Sequence, residues 1–257
     1  MTETEDINFI SVKNQAEAFP KHFHETFCIS LIKEGIEKIE LENEFLYSKE
    51  KCISITNPYE IHSNPIVDKD IKVCFDTIYI SQELMSYILK KRKIEFLSRQ
   101  IEDSQINQSF IQLFEHLKSK NAKNIDGLLR NFVYQISPFS QTIREYNQTS
   151  FQSDYLSELI KYIEENLNNK IYLDELAKII HLNKFSFAKK FKLLTGMTPM
   201  SYVLMKKVFS AKTQFTIDCD ITDIAYSYNF ADVAHFSHAF KKYVGVSPKE
   251  YRMQLKK

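Results

Sequence analysis

A repeat near the end of the chain constrains the fold more than any other feature. Phe191-Lys192, Gly196, Thr198-Pro199 and Tyr202 recur as Phe240-Lys241, Gly245, Ser247-Pro248 and Tyr251, each displaced by 49 positions. Leu176-Ala177 recurs as Ile224-Ala225, displaced by 48, so the second copy carries one extra residue between its two halves. Self-similarity at a fixed displacement means that one supersecondary unit is built twice. In each copy a short segment bearing Leu/Ile-Ala (174–180; 221–227) leads through a turn into a longer one containing Phe-Lys (184–194; 233–243). The alanine is small where two helices must cross closely. Asn229 tolerates the positive φ such a turn needs, and Asp232 is placed to cap the helix that follows. Gly196 and Gly245 end the longer segments, and Thr198-Pro199 and Ser247-Pro248 each supply an N-cap followed by proline at the first helical position. Phe187, Phe191, Phe236 and Phe240 are expected in the core.

The expectation is an all-α region of two helix-turn-helix units joined by one helix over 199–215. At 1.5 Å rise per residue that helix is about 25 Å long. Such a spacer holds the two second helices roughly 34 Å apart, the interval between successive major-groove faces on one side of B-DNA. Charge agrees with this reading. The chain's net charge of +1 hides an asymmetry, because residues 151–257 hold 16 Lys and Arg against 11 Asp and Glu (+5), leaving 18 against 22 (−4) for the first 150. The basic half is suited to approach a polyanion.

The other half has a different texture. Thr26-Phe-Cys-Ile-Ser-Leu-Ile, Ile36 to Leu41 and Lys51-Cys-Ile-Ser-Ile-Thr are short, β-branched or aromatic, and punctuated by Gly35, Asn43 and Asn57-Pro58, which predicts a small antiparallel β domain. From about residue 81 the period changes. Leu84, Tyr87, Ile88 and Ile94, then Ile106, Phe110, Leu113, Phe114 and Leu117, then Leu128, Leu129, Phe132, Val133 and Ile136 recur at helical spacing, until Pro138 stops the last run. The polar stretch 137–153 is expected as a linker. The apolar stripes of these helices serve a core or a dimer seam.

Several function classes find no support. Cys28, Cys52, Cys74 and Cys219 include no CxxC pair, so neither a disulfide framework nor a thiolate zinc site is suggested. The acidic start, Met1-Thr-Glu-Thr-Glu-Asp, lacks the basic and apolar regions of a secretory signal, and no stretch approaches the roughly 18 apolar residues of a membrane span. A cytoplasmic protein with no membrane contact is expected. No Ser/His/Asp arrangement, carboxylate pair or phosphate-cradling glycine loop is present, and the chain has only four glycines. Accordingly no catalytic residue, cofactor or metal is assigned, and an enzyme is not expected.

The runs Asp174-Glu-Leu-Ala-Lys, Phe187-Ala-Lys-Lys-Phe191-Lys, Thr195-Gly-Met-Thr-Pro-Met-Ser-Tyr202, Ile221-Thr-Asp-Ile-Ala225 and His235-Phe-Ser-His-Ala-Phe-Lys-Lys-Tyr-Val-Gly-Val-Ser-Pro-Lys-Glu-Tyr-Arg252 resemble the DNA-binding domain of the AraC/XylS family of regulators. Departures from the family pattern are Lys207 where arginine is usual in the linker helix, Gln214 for leucine, Asn229 for glycine, and Tyr172 where a serine or threonine would cap. The resemblance implies a multidomain α and β protein: a cupin-like small β-barrel with flanking helices, then the two helix-turn-helix units. The expected division is 1–80 effector-binding β domain, 81–137 helical dimerisation region, 138–153 linker and 154–257 DNA-binding domain.

By the same resemblance, Phe185, Ala188 and Lys189 in the first unit and Val233, Ala234, Ser237 and His238 in the second take the base-reading positions. Bidentate arginine readout is missing there, so A·T-leaning sites are expected. Phosphate contacts are assigned to Lys184, Lys190, Lys192, Lys241 and Lys242. Against these stand blander roles, with Phe185 packed on its own unit and His238 and the lysines simply solvated. In the N-terminal half, Phe19-Pro-Lys-His22-Phe-His24 and Asn57-Pro58-Tyr-Glu-Ile-His62 resemble the family's effector arm. One strand carrying His22, His24, Thr26, Cys28 and Ser30 on one face, with Phe23, Phe27, Ile29 and Leu31 on the other, gives that arm a polar side. His22, His24, Thr26, Cys28 and His62 are therefore assigned to an effector pocket. A metal held by the three histidines and Cys28, or no ligand role, are the alternatives.

The partners implied are double-stranded DNA, RNA polymerase, a small effector and a second copy of the chain, in an activator rather than a repressor. The alternative is a cupin-type metal-dependent enzyme fused to a DNA-binding module, and a third reading is an interaction protein that no longer contacts DNA.

Overall fold

Short β-branched segments in the first eighty residues pair antiparallel, with successive side chains pointing to opposite faces of the sheet. In the computed structural model, which describes residues 6–68, 70–90, 93–119, 124–143 and 154–255, the chain divides into two units. Of the described residues, 6–18 and 23–143 fall in the first and 19–22 with 154–255 in the second. β1 (Ile7–Gln15) and β3 (Phe27–Glu34) flank β8 (Val73–Ile80), and β6 (Ile53–Thr56) followed by β10 (Gln100–Ile101) completes a five-stranded sheet in the order β1-β8-β3-β6-β10. A smaller sheet of the same unit pairs β4 (Ile36–Glu40) with both β5 (Phe45–Lys49) and β7 (His62–Asn64). β2 (Phe19–His22) groups with the second unit, where the His22 ring lies 6.3 Å from that of Phe209.

Register sorts the five-stranded sheet into two faces. Ile29 sits between Ile78 and Ile55, and Ser30 between Thr77 and Ser54. Phe27, Ile29, Leu31, Ile53, Ile55, Ile78 and Ile80 thus share one apolar face. It is covered by α1 (Gln82–Leu89), α2 (Ser104–Lys118) and α3 (Ile125–Ile136) through Met85, Ile88, Phe110, Phe114, Phe132 and Val133. Burying each such side chain stabilises the unit by about 1.5–3 kcal/mol. The other face carries Ser30, Ser54, Thr56 and Thr77, all buried.

Three local expectations differ from the structure. The strand expected through His22 to Leu31 is interrupted, since β2 ends at His22 and β3 starts at Phe27. Ile94, read as part of a helical stripe, lies in β9 (Ile94–Phe96), which pairs with β11 (Ser140–Thr142). Its Ile-Glu-Phe alternation is too short to stand out from a helical pattern, yet both apolar side chains are fully buried. The stretch expected as linker therefore contains a 3₁₀ turn (Ser137–Phe139) and a strand, while 144–153 lie outside the described residues.

The second unit is helical: α4 (Asp154–Glu165), α5 (Leu173–Ile179), α6 (Lys184–Thr195), α7 (Pro199–Thr213), α8 (Ile221–Ser227), α9 (Val233–Val244) and α10 (Pro248–Leu255). The joining helix α7 stops two residues short of the expected 215, which shortens it to about 22 Å. Phe215 turns inward instead. Its ring lies 5.1 Å from that of Phe240 and 5.4 Å from that of Tyr251, and leaving the helix lets it complete this aromatic core. Phe187, Phe191, Phe236 and Phe240 are fully buried, and so are Ala177 and Ala225. Among the described residues no helix is long and apolar enough to cross a membrane.

Candidate nucleic-acid interface

The two turns are built alike down to single bonds. Leu182 donates its N–H to the Ala177 carbonyl at 2.9 Å, and the same bond recurs 48 positions on, from Phe230 to Ala225 at 3.1 Å. Each turn is reversed by one left-handed residue, His181 (φ 54°) in the first and Asn229 (φ 57°) in the second. For a histidine this backbone is uncommon, so the surrounding helices must enforce it. The helix that follows is capped in both copies. Asn183 Oδ1 accepts from the Phe185 and Ser186 amides at 3.1 and 3.0 Å, and Asp232 Oδ1 accepts from His235 at 2.7 Å. Asp232 and Asn229 are legible from their residue types alone. His181 and Asn183 were missed, although displacing Asn229 and Asp232 by the repeat leads straight to them.

Past each second helix, Gly196 (φ 67°) and Gly245 (φ 91°) take the left-handed cap, a conformation that costs glycine nothing. Thr198 Oγ1 then accepts from the Ser201 amide at 3.2 Å. Ser247 and Glu250 form a reciprocal capping box: Ser247 Oγ accepts from Glu250 N at 3.2 Å and Glu250 Oε2 accepts from Ser247 N at 2.8 Å. The Ser247 amide, and the Ser247 hydroxyl that donates to Glu250 Oε2 at 2.7 Å, hold the Glu250 carboxyl below its usual range. Tyr172 offers no side-chain cap, and the Glu175 carboxylate accepts from its amide at 3.2 Å.

These devices fix which faces of α6 and α9 meet solvent. On α6, Lys184, Phe185, Lys189, Lys190 and Lys192 are exposed and Ala188 is half-buried. On α9, Ala234, His238, Lys241 and Lys242 are exposed, and Val233 and Ser237 are half-buried. Phe185 is 77% exposed, so its ring is not packed into its own unit; Lys184 Nζ lies 5.6 Å from it and 3.9 Å from Asp174 Oδ1. An apolar ring with this exposure, flanked by cations, is chemically suited to a thymine methyl or a base edge.

Behind these faces, α7 braces the two units. Lys207 is 7% exposed and donates from Nζ to the carbonyl oxygens of Asn169 at 2.7 Å and Tyr228 at 2.8 Å. Burial lowers its pKa. Lys206 pairs with Glu164 at 2.8 Å, Tyr228 Oη lies 2.9 Å from Ser210 Oγ, and Tyr243 Oη donates to the Ser201 carbonyl at 3.3 Å.

The residues assigned to an effector pocket are distributed between the units. In the first, the His24 ring lies 5.4 Å from that of His62 and 5.2 Å from that of Tyr79. His62 is buried with Nδ1 2.8 Å from the Glu60 carbonyl oxygen, and burial lowers its pKa. The Glu60 carboxylate is held by a bidentate pair with Arg99. Thr26 and Cys28 are half-buried. His22 belongs to the second unit, its Nδ1 2.7 Å from the Pro20 carbonyl oxygen. Glu37 was missed altogether: buried on β4, it accepts from Ser54 Oγ at 2.8 Å and Asn64 Nδ2 at 3.0 Å. Its only sequence signal is that it alternates onto the face of Ile39.

Comparison with known proteins gives two family matches, an AraC-like ligand binding domain over residues 6–133 and a helix-turn-helix domain over 176–254. The HTH-type transcriptional activator AarP of Providencia stuartii is 33% identical over 106 residues, covering 41% of this chain and 78% of that protein. The HTH-type transcriptional activator RhaS of Yersinia pestis (strain Pestoides F) is 24% identical over 264 residues, covering 96% of this chain and 93% of its own length. Among solved structures, ToxT from Vibrio cholerae superposes with a TM-score of 0.55 at 15% identity, covering 98% of this chain and 100% of that one. Unsaturated fatty acid bound ToxT from strain SCE256 superposes with a TM-score of 0.54 at 14% identity, covering 99% and 98%. The ToxT likeness is one of fold.

Proposed function

The chain belongs to the AraC family of helix-turn-helix transcriptional regulators, and from that premise we propose that it activates transcription by reading two successive major-groove segments of double-stranded DNA with α6 and α9. The observation that carries this reading is the duplicated turn, closed by the same backbone bond and capped by a side-chain oxygen in each copy, presenting two solvent-facing helices from one braced body. Phe185, Ala188 and Lys189 on α6, and Val233, Ala234, Ser237 and His238 on α9, read bases. Lys184, Lys190, Lys192, Lys241 and Lys242 contact phosphates and set the register. Lysine can donate to guanine, but without a bidentate fork it discriminates weakly, so the apolar Phe185, Ala188 and Val233 bias the site towards A·T pairs.

A small effector bound in the N-terminal half modulates this binding. The match to an AraC-like ligand binding domain supports that assignment, as does the fatty acid carried by ToxT in a structure of similar fold. His24, Thr26, Cys28 and His62, with His22, are the residues assigned to effector recognition. Residues 1–80 with 81–137 form the sensing and dimerisation part, with β11 joined to its β9, the remainder of 138–153 the linker and 154–257 the DNA-binding part. The protein acts in the cytoplasm as a homodimer that engages RNA polymerase, and it is not an enzyme. Sequencing the DNA crosslinked to the protein in cells tests the whole reading. Enrichment of a shared two-box motif upstream of genes is expected, and enrichment of no motif would remove the assignment.

A further inference from the structure

The buried inner face of the five-stranded sheet carries Ile10, Val12, Ile32 and Phe75 at one end and a cluster of hydroxyls beside them. Ser54 and Thr56 stand two residues apart on β6, so they point to one side, and Ser30 and Thr77 join them, 2.8 Å apart through their hydroxyls. Facing Ser54 is the Glu37 carboxyl of β4, which also accepts from Asn64 of β7. Both neighbours donate, one to each carboxyl oxygen, and this geometry suits the ionised form. Among the described residues no lysine, arginine or histidine pairs with Glu37. The Thr56 hydroxyl oxygen is buried and has no hydrogen-bond partner among the described residues.

A buried carboxyl with two donors and no counter-charge, with an orphan hydroxyl two residues along β6 from its Ser54 donor, lacks one ingredient, a cation that also donates hydrogen bonds. We propose that this interior binds a small molecule through a protonated amine, its ammonium set against the Glu37 carboxylate and a further N–H given to Thr56. The inference rests on effector binding by the N-terminal half and names the ligand's chemical class. Burial pushes the Glu37 carboxyl up to about 7, so a bound cation also offsets the penalty that keeps this group from ionising near neutrality. An anionic ligand such as a fatty acid would be repelled here.

The test is thermal unfolding of the full chain titrated with agmatine, putrescine and tyramine, with 1,4-butanediol and oleate as uncharged and anionic controls. At least one amine raises the Tm of the wild type saturably, and Glu37→Gln weakens that response at least tenfold. An equal response from Glu37→Gln, or none to any amine, overturns the proposal. Should Glu37→Gln fail to fold, the ¹³C carboxyl resonance of Glu37 in the wild type decides. It moves to its ionised position on amine saturation, and an unmoved resonance overturns the site. Stabilisation by the diol or oleate alone overturns the cation while leaving effector binding intact. An amine response that depends on Glu37 but does not change DNA affinity supports the site and removes its role as the effector's.

Discussion

Lys207 reaches from the middle of α7 to the carbonyl oxygen of Tyr228, 2.8 Å away at the C-terminal end of α8. The same ammonium donates to Asn169, just before α5. One buried amine therefore ties the approach to the first helix-turn-helix unit to the turn of the second.

Lys207→Met keeps the stem but strands both carbonyls, at a cost of about 1–3 kcal/mol for each one left unsatisfied. Denaturant unfolding reports the loss, and Lys207→Arg, which retains the charge and the donors, recovers most of it. A Met variant within 0.5 kcal/mol of the wild type would show that the tie contributes nothing.

Lys192→Ala and Lys241→Ala each weaken binding to every DNA sequence alike and flatten the dependence of log affinity on log salt by roughly 1. Gel-shift titrations over a range of salt measure this directly. An unchanged slope takes these lysines off the phosphates.

Because its ring is exposed, Phe185→Ala leaves stability within about 0.5 kcal/mol of the wild type while reducing preference for thymine at one position of the first box. Selection from a randomised duplex library reads the preference. If instead the variant loses several kcal/mol, Phe185 belongs to the core.

The pH profile of stability isolates Glu37. Its pKa is raised from 4.5 to about 7 in the folded chain, so its contribution is fully present below pH 4.5 and is lost as pH rises through 7. The loss is on the order of 3 kcal/mol. Glu37→Gln, which does not titrate, is expected to be less sensitive over that window and to gain on the wild type at pH 8. Parallel profiles would mean the carboxyl ionises as freely in the fold as out of it.

What could be read without coordinates was local or repeated. Asp232, Thr198, Ser247 and the two cap glycines each act within a few residues of themselves, so residue type and spacing reveal them. His181 was visible only through the repeat, because histidine in a left-handed turn is unexpected by residue type. The partners of Lys207 lie 38 and 21 residues away and those of Glu37 are 17 and 27 away, distances at which no periodicity speaks. The same holds for β9, whose three residues become a strand only by pairing with β11. Phe215 leaves α7 for an aromatic cluster assembled from α9 and α10, a tertiary gain that overrides the helical pattern.

Methylation interference on a bound promoter fragment tests most directly whether α6 and α9 read one duplex together. Two patches of major-groove interference about 10 base pairs apart on the same face of the DNA are expected, the first lost with substitutions at Lys189 and the second with substitutions at His238. A single patch, or two on opposite faces, would contradict the account.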